Sequence, residues 1–292
     1  MFEGVLTALV TPFRNGELDE PALRELCERQ IAAGVDGLVP CGSTGESATL
    51  SHAEHARAIE VVVSAARGRV PVLAGSGSNA TREAIALTRH ARQCGADGAL
   101  LISPYYNKPM PHGIAAHYEA VARETGLPLV VYNIPGRTAS NMAPPLLARL
   151  AGVDGVVGVK EASGDLNQIA HTIAATAHHA GFAVLSGDDW ATLPVLALGG
   201  RGVISTTSNL APAEMLALVR AWQSGDGKRA RDQHYRLLPL FDALFCETNP
   251  APVKAALALC GLIQNELRLP LTPLRPENSE RLRELLKTFG LP

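Results

Sequence analysis

The segment VVGVKEAS (residues 156–163) decides the fold that the sequence predicts. Its first four residues can all line a buried strand, and the apolar run then reaches Lys160 and Glu161. A strand that is apolar on both faces is typical of a parallel sheet covered by helices on both sides. The segment also bears on function, because burying an ammonium group is costly and calls for an explanation.

Seven further segments share this nearly continuous apolar character. They are VLTALV (5–10), GLVPCG (37–42), PVLAG (71–75), GALLIS (98–103), PLVVYN (128–133), AVLSGD (183–188) and GVISTTS (202–208). Helix signals lie between them: Asp19 is a predicted N-cap, Ser51 and Glu54 fit a capping box, and a helix is predicted from an Asn79 cap to a stop at Gly95. Eight strands alternating with helices predict an α/β fold, a (β/α)₈ TIM barrel. An open, doubly wound sheet is the structural alternative.

The alternation of strand and helix stops after residue 209. Residues 211–224, 227–245, 250–263 and 277–289 have helical patterns without intervening strands. We therefore expect a barrel over residues 1–224, followed by a C-terminal helical region over residues 225–292.

Composition excludes several classes of protein. Of the 292 residues, 47% are hydrophobic and only 18% are charged, so we expect an ordered chain with a large core. The formal net charge is −2 and no basic block occurs, which argues against a nucleic-acid partner. No apolar run approaches the roughly 20 residues of a membrane helix, so no membrane association is expected. Five cysteines without a CxxC pair predict reduced thiols, and we expect a cytoplasmic protein.

Polar residues are concentrated where the predicted strands end. CGSTGES, GSGSN, SPYYNKP, YNIPGRT, KEAS, SGDD and STTSN each follow one of the apolar runs, whereas the strand beginnings are plainer. The carboxyl ends of barrel strands meet on one face, and that face carries the active sites of barrel enzymes. This asymmetry indicates an enzyme.

Lys160 is the candidate nucleophile among only five lysines in the chain. An amine that loses solvent can lose its proton near neutral pH, attack a carbonyl and form a Schiff base, which withdraws electrons from the adjacent carbon. The alternative is a strand-end lysine that forms an ion pair with Glu161 or another carboxylate. The segment alone leaves both interpretations open.

Other polar groups at strand ends fit a site for a small acid. Ser43 and Thr44 lie in a glycine-rich loop that can hold a carboxylate, although such a loop is also an ordinary βα turn. Tyr132 can relay protons, or it can be a half-buried aromatic residue. Arg137 can bind a carboxylate, or it can be a solvated loop charge. Tyr105 and Tyr106 are either site residues or an interface or loop-packing pair.

Three short patterns point elsewhere and carry less weight. GSGSNA (75–80) matches a dinucleotide-binding pattern, but the next strand does not end in an acidic residue. His52 and His55 can bind a metal, although a third ligand is not evident and a solvated helix face explains them as well. Asp188 and Asp189 can bind Mg²⁺, and a loop cap is the alternative.

Taken together, the motifs resemble those of one family almost from end to end. GVLTALVTPF, GSTGESATLSHAEH, SPYYNKP, YNIPGRT, GVKEASGD, LSGDD, GVIST, NPAPVK and ELRLPLTPL are similar to motifs of the 4-hydroxy-tetrahydrodipicolinate (dihydrodipicolinate) synthases. That family belongs to the class I pyruvate-dependent aldolases and lyases, which include N-acetylneuraminate lyase.

The resemblance implies a role for each matching residue. Lys160 would form the Schiff base with pyruvate, and Tyr132 would shuttle protons in a relay with Thr44 and with Tyr106 from a neighbouring subunit. The remaining substrate contacts would be Ser43 and Thr44 to the pyruvate carboxylate, Arg137 to the carboxylate of aspartate 4-semialdehyde, and Gly187 and Ile204 in the pyruvate pocket. Many members have Thr where Ser43 stands, and the hydroxyl is retained. No metal or organic cofactor would be required.

The resemblance also implies regulation and assembly. Residues of the type found in lysine-inhibited members occupy all positions of the family's allosteric site: Ser47, Ala48, His52, His55, Asn79, Glu83 and Tyr105. We therefore expect a homotetramer, a dimer of dimers, in lysine and diaminopimelate biosynthesis, with L-lysine as inhibitor. The alternatives are a related aldolase of a 2-oxo sugar acid, an NAD-linked oxidoreductase and a non-catalytic barrel that binds 2-oxo acids.

Overall fold

A computed structural model describes residues 2–291 and contains a sheet of eight parallel strands. The strands of the chain are β1 Gly4–Ala8, β2 Phe13–Arg14, β3 Glu17–Leu18, β4 Gly37–Val39, β5 Leu73–Gly75, β6 Gly98–Ile102, β7 Leu129–Asn133, β8 Val156–Glu161, β9 Ala183–Ser186 and β10 Gly202–Ser205. The sheet runs in the order β4-β1-β10-β9-β8-β7-β6-β5, and a parallel bridge between Leu38 and Val72 joins its two edges. The sheet is thus a closed barrel, and the open doubly wound alternative was wrong.

Helices surround the barrel and continue beyond it. They are α1 Glu20–Ala33, α2 His52–Ala66, α3 Thr81–Gln93, α4 Pro111–Thr125, α5 Pro135–Thr138, α6 Pro144–Ala151, α7 Leu166–Thr176, α8 Thr192–Ala197, α9 Pro212–Gln223, α10 Gly227–Ala243, α11 Ala251–Leu259 and α12 Pro276–Thr288. The fold prediction, a barrel with a C-terminal helical extension, is confirmed. Among the described residues, no helix has the length and apolarity needed to cross a membrane.

Strand alternation divides the apolar residues into two layers. Side chains such as Leu6, Leu73, Val130 and Ile204 fill the interior of the barrel. A larger cluster fills the space between the strands and the surrounding helices. Because successive side chains of a strand point to opposite faces, every second strand residue belongs to the interior.

Local signals predicted the helix starts well, with one exception. The Asp19 carboxylate accepts a hydrogen bond from the Ala22 amide, and Ser51 and Glu54 form a reciprocal capping box. Asn79 was wrongly predicted to cap α3. The N-cap of α3 is Ala80, whose side chain cannot accept a bond, and the Ser78 hydroxyl instead accepts from the Ala80 amide at 3.0 Å.

The short β2–β3 hairpin was not predicted. Its two strands pair Phe13 with Leu18 and Arg14 with Glu17 around an Asn15–Gly16 turn. Strands of two residues have no measurable hydrophobic period, so only the turn residues could have signalled them.

The C-terminal helices pack onto the barrel instead of standing apart from it. Lys254 of α11 is fully buried and donates a hydrogen bond to the Thr11 carbonyl at 2.9 Å. Helix α9 lies against β1, and α10 lies against α9. The division of the chain at residues 224 and 225 stays a prediction.

Candidate active site

Lys160 and Tyr132 are adjacent residues inside the barrel. They are register partners on β8 and β7, and Lys160 Nζ lies 4.4 Å from the centroid of the Tyr132 ring. Only 6% of the Lys160 surface is exposed. Strand β8 therefore places the Lys160 amine in the interior, at the carboxyl end of the barrel.

Burial makes this amine easier to deprotonate. Loss of solvent lowers the pKa of Lys160 to about 8, and the positive charge of Arg137 adds to this effect. The carboxylates of Asp188 and Asp189 oppose it, because they stabilise the ammonium form. Within residues 2–291, Lys160 Nζ has neither a hydrogen bond nor an ion pair. About a tenth of the amine is therefore neutral at pH 7, far more than for a lysine with the ordinary pKa of 10.5.

The ion-pair interpretation of Lys160 and Glu161 was wrong. Glu161 points to the opposite face of β8, where its two carboxylate oxygens accept from Asn133 Nδ2 at 3.2 and 3.0 Å. The Ser163 amide also donates to Glu161, at 2.7 Å. Burial raises the pKa of Glu161, and these hydrogen bonds lower it. Glu161 anchors the strand end and is not a partner of the lysine.

Gly187 leaves the space that the lysine side chain occupies. A Cβ atom at this position would lie 3.1 Å from Lys160 Cε and 2.6 Å from Ala162 Cβ. The Gly187 amide donates to the Glu161 carbonyl at 2.7 Å, so its backbone is held against β8. The structure thus brings Gly187 to Lys160, and Ile204 of β10 lies in the same barrel interior.

The glycine-rich loop after β4 places Thr44 inside and Ser43 at the surface of a cavity. Thr44 is buried; its hydroxyl accepts from Asn249 Nδ2 at 2.9 Å and lies 3.3 Å from the hydroxyl of Thr206. Burial raises the pKa of Tyr132, and the Arg137 charge and the Ser43 hydroxyl offset only part of this increase. Tyr132 is therefore a protonated phenol at neutral pH.

Arg137 lies at the rim of the same cavity. It belongs to the one-turn helix α5, is exposed, and donates from Nη2 to the Asn249 carbonyl at 3.0 Å. Its guanidinium keeps further donors free, so it can still bind a carboxylate in bidentate fashion.

Tyr106 does not reach the other relay residues within this chain. It is 88% exposed and has a left-handed backbone, with φ of 71°. The Thr44 hydroxyl bonds to Asn249 and Thr206 instead of Tyr132. The three-residue relay is therefore not assembled in one chain.

One cavity of about 440 Å³ joins the barrel mouth to the predicted allosteric residues. Ser43, Tyr132, Arg137 and Asn249 line one part of it. The other part is lined by Ser47, Ala48, His52, His55, Glu83 and Tyr105. Asn79 is not part of this lining; its carbonyl accepts a hydrogen bond from Asn107. The structure therefore brings six of the seven predicted allosteric residues together.

The two histidines have different electrostatic environments. His52 Nε2 lies 2.8 Å from Glu83 Oε1, near the surface. His55 is buried, and the loss of solvent lowers its pKa to about 4, so it is neutral at physiological pH. Hydrogen bonds from Ser78 and His52 lower the pKa of Glu83. The cavity wall thus presents a carboxylate and a neutral imidazole, which fit an amino-acid ligand.

Contacts within the fold account for two of the weaker sequence patterns. A Cβ at Gly75 would lie 2.2 Å from the Cys41 carbonyl oxygen, and one at Gly77 would lie 2.4 Å from the Ile102 amide. Close backbone approach therefore explains the glycines of GSGSNA. Asp189 is a loop cap, because it accepts from the amides of Thr206 and Thr207 at 3.1 and 2.8 Å.

Sequence reasoning missed several residues around the lysine. Asn249 bonds to both Thr44 and Arg137, and Asp188 is half-buried, with a pKa that burial raises to about 6. The Asp188 charge acts on Lys160, although Asp188 had been considered only as a metal ligand or cap. The sequence signal for Asn249 was its place at the start of NPAPVK, one of the motifs that resemble the family.

Comparison with known proteins agrees with this geometry. The model of the dihydrodipicolinate synthetase family matches residues 1–289. The chain belongs to this family. The predicted family is thus confirmed.

Relatives match the chain over its full length. A 4-hydroxy-tetrahydrodipicolinate synthase of Syntrophobacter fumaroxidans is 56% identical over 292 residues, covering 100% of both chains. One from Syntrophus aciditrophicus is 55% identical over 291 residues, covering 100% of this chain and 99% of the relative. These names agree with the predicted lyase and not with a sugar-acid aldolase.

Solved structures superpose closely. The dihydrodipicolinate synthase of Acinetobacter baumannii complexed with pyruvate has a TM-score of 0.97 at 41% identity, with 100% of both chains covered. The enzyme of Cyanidioschyzon merolae with lysine bound has a TM-score of 0.96 at 42% identity, covering 100% of this chain and 99% of that one. The first of these two relatives is thus seen with pyruvate, and the second with lysine.

Proposed function

We propose that this chain condenses pyruvate with L-aspartate 4-semialdehyde to give 4-hydroxy-tetrahydrodipicolinate, through a Schiff base on Lys160. The observation that carries the proposal is the position of this amine. It is buried at the carboxyl end of β8, its pKa is lowered to about 8, and it lies against Tyr132. These are the properties of a lysine nucleophile.

The reaction follows from the groups around the amine. The neutral Lys160 amine attacks the keto carbon of pyruvate, and loss of water gives a protonated imine. Removal of a methyl proton then gives an enamine, whose carbon attacks the aldehyde. The amine of the semialdehyde replaces Lys160 at the former keto carbon, so the ring closes and the enzyme is released. No metal is needed for these reaction steps, because the imine itself accepts the electrons.

Proton transfer is assigned to Tyr132. Burial keeps its phenol protonated, so it can donate to the oxygen that leaves as water and to the alkoxide of the incoming aldehyde. We propose that Thr44 of the same chain and Tyr106 of a neighbouring subunit complete this relay. The exposure of Tyr106, at 88%, supports a role at a subunit contact, as expected of a homotetramer built as a dimer of dimers.

Substrate carboxylates are assigned to two places at the cavity. Ser43 and Thr44 would hold the pyruvate carboxylate through amide and hydroxyl donors, while Gly187 and Ile204 give the pyruvate its space. Arg137 at the rim would bind the carboxylate of the semialdehyde. Its hydrogen bond to the Asn249 carbonyl supports this role, because a guanidinium held in place binds a substrate carboxylate more specifically.

L-lysine is proposed to inhibit the enzyme from the other part of the cavity. The set assigned to it is Ser47, Ala48, His52, His55, Asn79, Glu83 and Tyr105. The pairing of His52 with Glu83 and the neutral state of His55 support a site for a zwitterionic amino acid. The lysine-bound relative from Cyanidioschyzon merolae supports the same ligand.

Five free cysteines support the reducing cytoplasm as the compartment.

Trapping with borohydride tests the Schiff base. The enzyme is incubated with pyruvate and sodium borohydride, and the labelled peptide is mapped. We expect label on Lys160 alone, none in K160A, and full labelling in K228A, which removes an exposed lysine of α10. Label on a different lysine, or no label, would overturn the mechanism.

Rates with aspartate 4-semialdehyde and with N-acetylneuraminate, in the wild type and in R137A, then test the second substrate.

A further inference from the structure

A second group of reactive side chains lies on the outside of the barrel, between α2 and α3. Glu60 of α2 faces His90 of α3 and Cys94, the residue that ends α3. Cys94 Sγ lies 3.1 Å from His90 Nε2, and Glu60 Oε1 lies 3.8 Å from the same nitrogen. One ligand atom from each residue lies within 4.8 Å of the others. None of these groups takes part in the proposed reaction.

We propose that Glu60, His90 and Cys94 form a binding site for Zn²⁺ or a similar divalent transition metal. Zinc takes thiolate, imidazole and carboxylate ligands in a tetrahedron, with bonds of about 2.0–2.3 Å. Those lengths place the ligand atoms about 3.4–3.6 Å from one another. The two separations from His90 Nε2 bracket this range, and Cys94 Sγ lies within 4.8 Å of the Glu60 oxygen. Side-chain shifts of about 0.5–1 Å therefore close all three edges around a metal.

The local backbone and one arginine arrange the ligands. His90 and Cys94 are four residues apart, so they lie on the same side of α3. Arg57 donates to Glu60 Oε2 at 3.0 Å, which leaves Oε1 directed at the histidine. Arg57 is itself bound by both carboxylate oxygens of Glu20, at 2.7 Å each, so its charge is balanced. An outer group that orients a ligand in this way is usual at metal sites.

Access and donor chemistry decide which metals fit. The Glu60 and His90 side chains are 42% and 32% exposed, so an ion can enter from solvent and keep water as its fourth ligand. A thiolate with an imidazole selects zinc, cobalt or copper over Mg²⁺ and Ca²⁺, which prefer oxygen ligands. Binding replaces the thiol proton of Cys94 with the metal and releases that proton to solvent.

Titration with Co²⁺ tests the site, because cobalt bound to a thiolate gives a charge-transfer absorption. The reduced, metal-free full-length enzyme should bind one Co²⁺ per chain with this absorption, and Zn²⁺ should displace it. C94S should lose the absorption, and H90N should weaken binding strongly. R57Q, which removes the orienting group and leaves the three ligands in place, should weaken Zn²⁺ binding about 10–100-fold.

The matched control is C246S, which removes another cysteine, an exposed one outside the site. It should leave the absorption and the stoichiometry unchanged. Thermal unfolding with and without Zn²⁺ gives a second readout, since a ligand of the native state raises the melting temperature of the wild type and of C246S but not of C94S. Absence of stoichiometric binding, or an absorption that survives C94S, would overturn the proposal and leave only a thiol–imidazole hydrogen bond.

Discussion

Lys254 and Glu46 form a fully buried ion pair that joins a helix after the barrel to the glycine-rich loop of the candidate site. Both side chains are inaccessible to solvent, and their charged atoms lie 2.5 Å apart. Lys254 also lies 4.3 Å from the centre of the Phe13 ring. Burial lowers the pKa of Lys254, and the Glu46 charge opposes that change. The pair therefore holds the loop that contains Ser43 and Thr44 against helix α11.

Breaking this pair should destabilise the protein strongly. K254M leaves the Glu46 carboxylate buried without its partner, and we expect the free energy of unfolding to fall by about 3–5 kcal/mol. Urea denaturation followed by circular dichroism measures the change. The double variant E46M/K254M should recover most of the loss, because no uncompensated charge remains. The control K228M breaks an exposed pair with Asp232 and should change stability little. Equal effects of K254M and K228M would contradict the argument.

The sequence predicted the eight barrel strands because each is a continuous apolar run, a local signal. It predicted Lys160 and Tyr132 for the same reason, since both end such runs. Register partners on adjacent strands then necessarily meet. Local signals also predicted the helix caps at Asp19 and Ser51, and the one error, at Asn79, arose because the Ser78 hydroxyl binds the amide at the same helix start.

Contacts between distant segments had no local signal. Asn249 reaches Thr44 across 205 residues, and Lys254 reaches Glu46 across 208 residues. No periodicity or spacing connects such pairs, since the closure of the fold alone brings them together. A role for Tyr106 at a subunit contact was implied only by the family resemblance, because a contact with another subunit cannot be located from one chain.

Gly187 should be essential for the geometry of the lysine. In G187A the new methyl group would lie 2.6 Å from Ala162 Cβ, so residue 187 and the end of β8 must move apart by about 1 Å. The same methyl would lie 3.1 Å from Lys160 Cε, so the lysine side chain is displaced as well. We expect kcat/KM for pyruvate to fall about 100-fold, the usual cost of a displacement near 1 Å. Steady-state kinetics and borohydride trapping measure the effect. The control G113A places its methyl 3.5 Å from Pro109 Cβ, an ordinary contact, and should retain full activity. Unchanged kinetics in G187A would show that the space beside Lys160 is not needed.

Glu83 should determine the response to L-lysine. E83Q removes the carboxylate that pairs with His52 at 2.8 Å and that would bind the ammonium of the inhibitor. We expect the half-inhibitory lysine concentration to rise about 10-fold or more, since a hydrogen bond to a charged group contributes about 1.5–3 kcal/mol. Inhibition curves and calorimetric titration measure it. The control E124Q removes an exposed carboxylate that pairs with Arg89 on the outer surface, and its inhibition curve should match that of the wild type. If E83Q is inhibited like the wild type, lysine binds elsewhere or not at all.

The charge of Asp188 should set the pH at which Lys160 becomes reactive. Only the neutral amine attacks pyruvate, and with a pKa of about 8 its fraction falls as the pH drops below 8. Asp188 has a pKa of about 6, so it is ionised above pH 6 and stabilises the ammonium form. D188N removes that charge, and the pKa of Lys160 should fall. The acidic limb of kcat/KM for pyruvate should therefore move to lower pH.

Profiles of kcat/KM against pH distinguish this effect from a direct catalytic role of Asp188. A purely electrostatic role predicts a displaced midpoint with a similar plateau at high pH, because the neutral amine is the same nucleophile in both enzymes. A direct role predicts a lower rate at every pH with the midpoint in place. The control D154N removes an exposed carboxylate at the opposite end of β8 and should reproduce the wild-type profile. A midpoint that moves to higher pH in D188N would contradict the assigned sign, since removing a negative charge cannot stabilise an ammonium group.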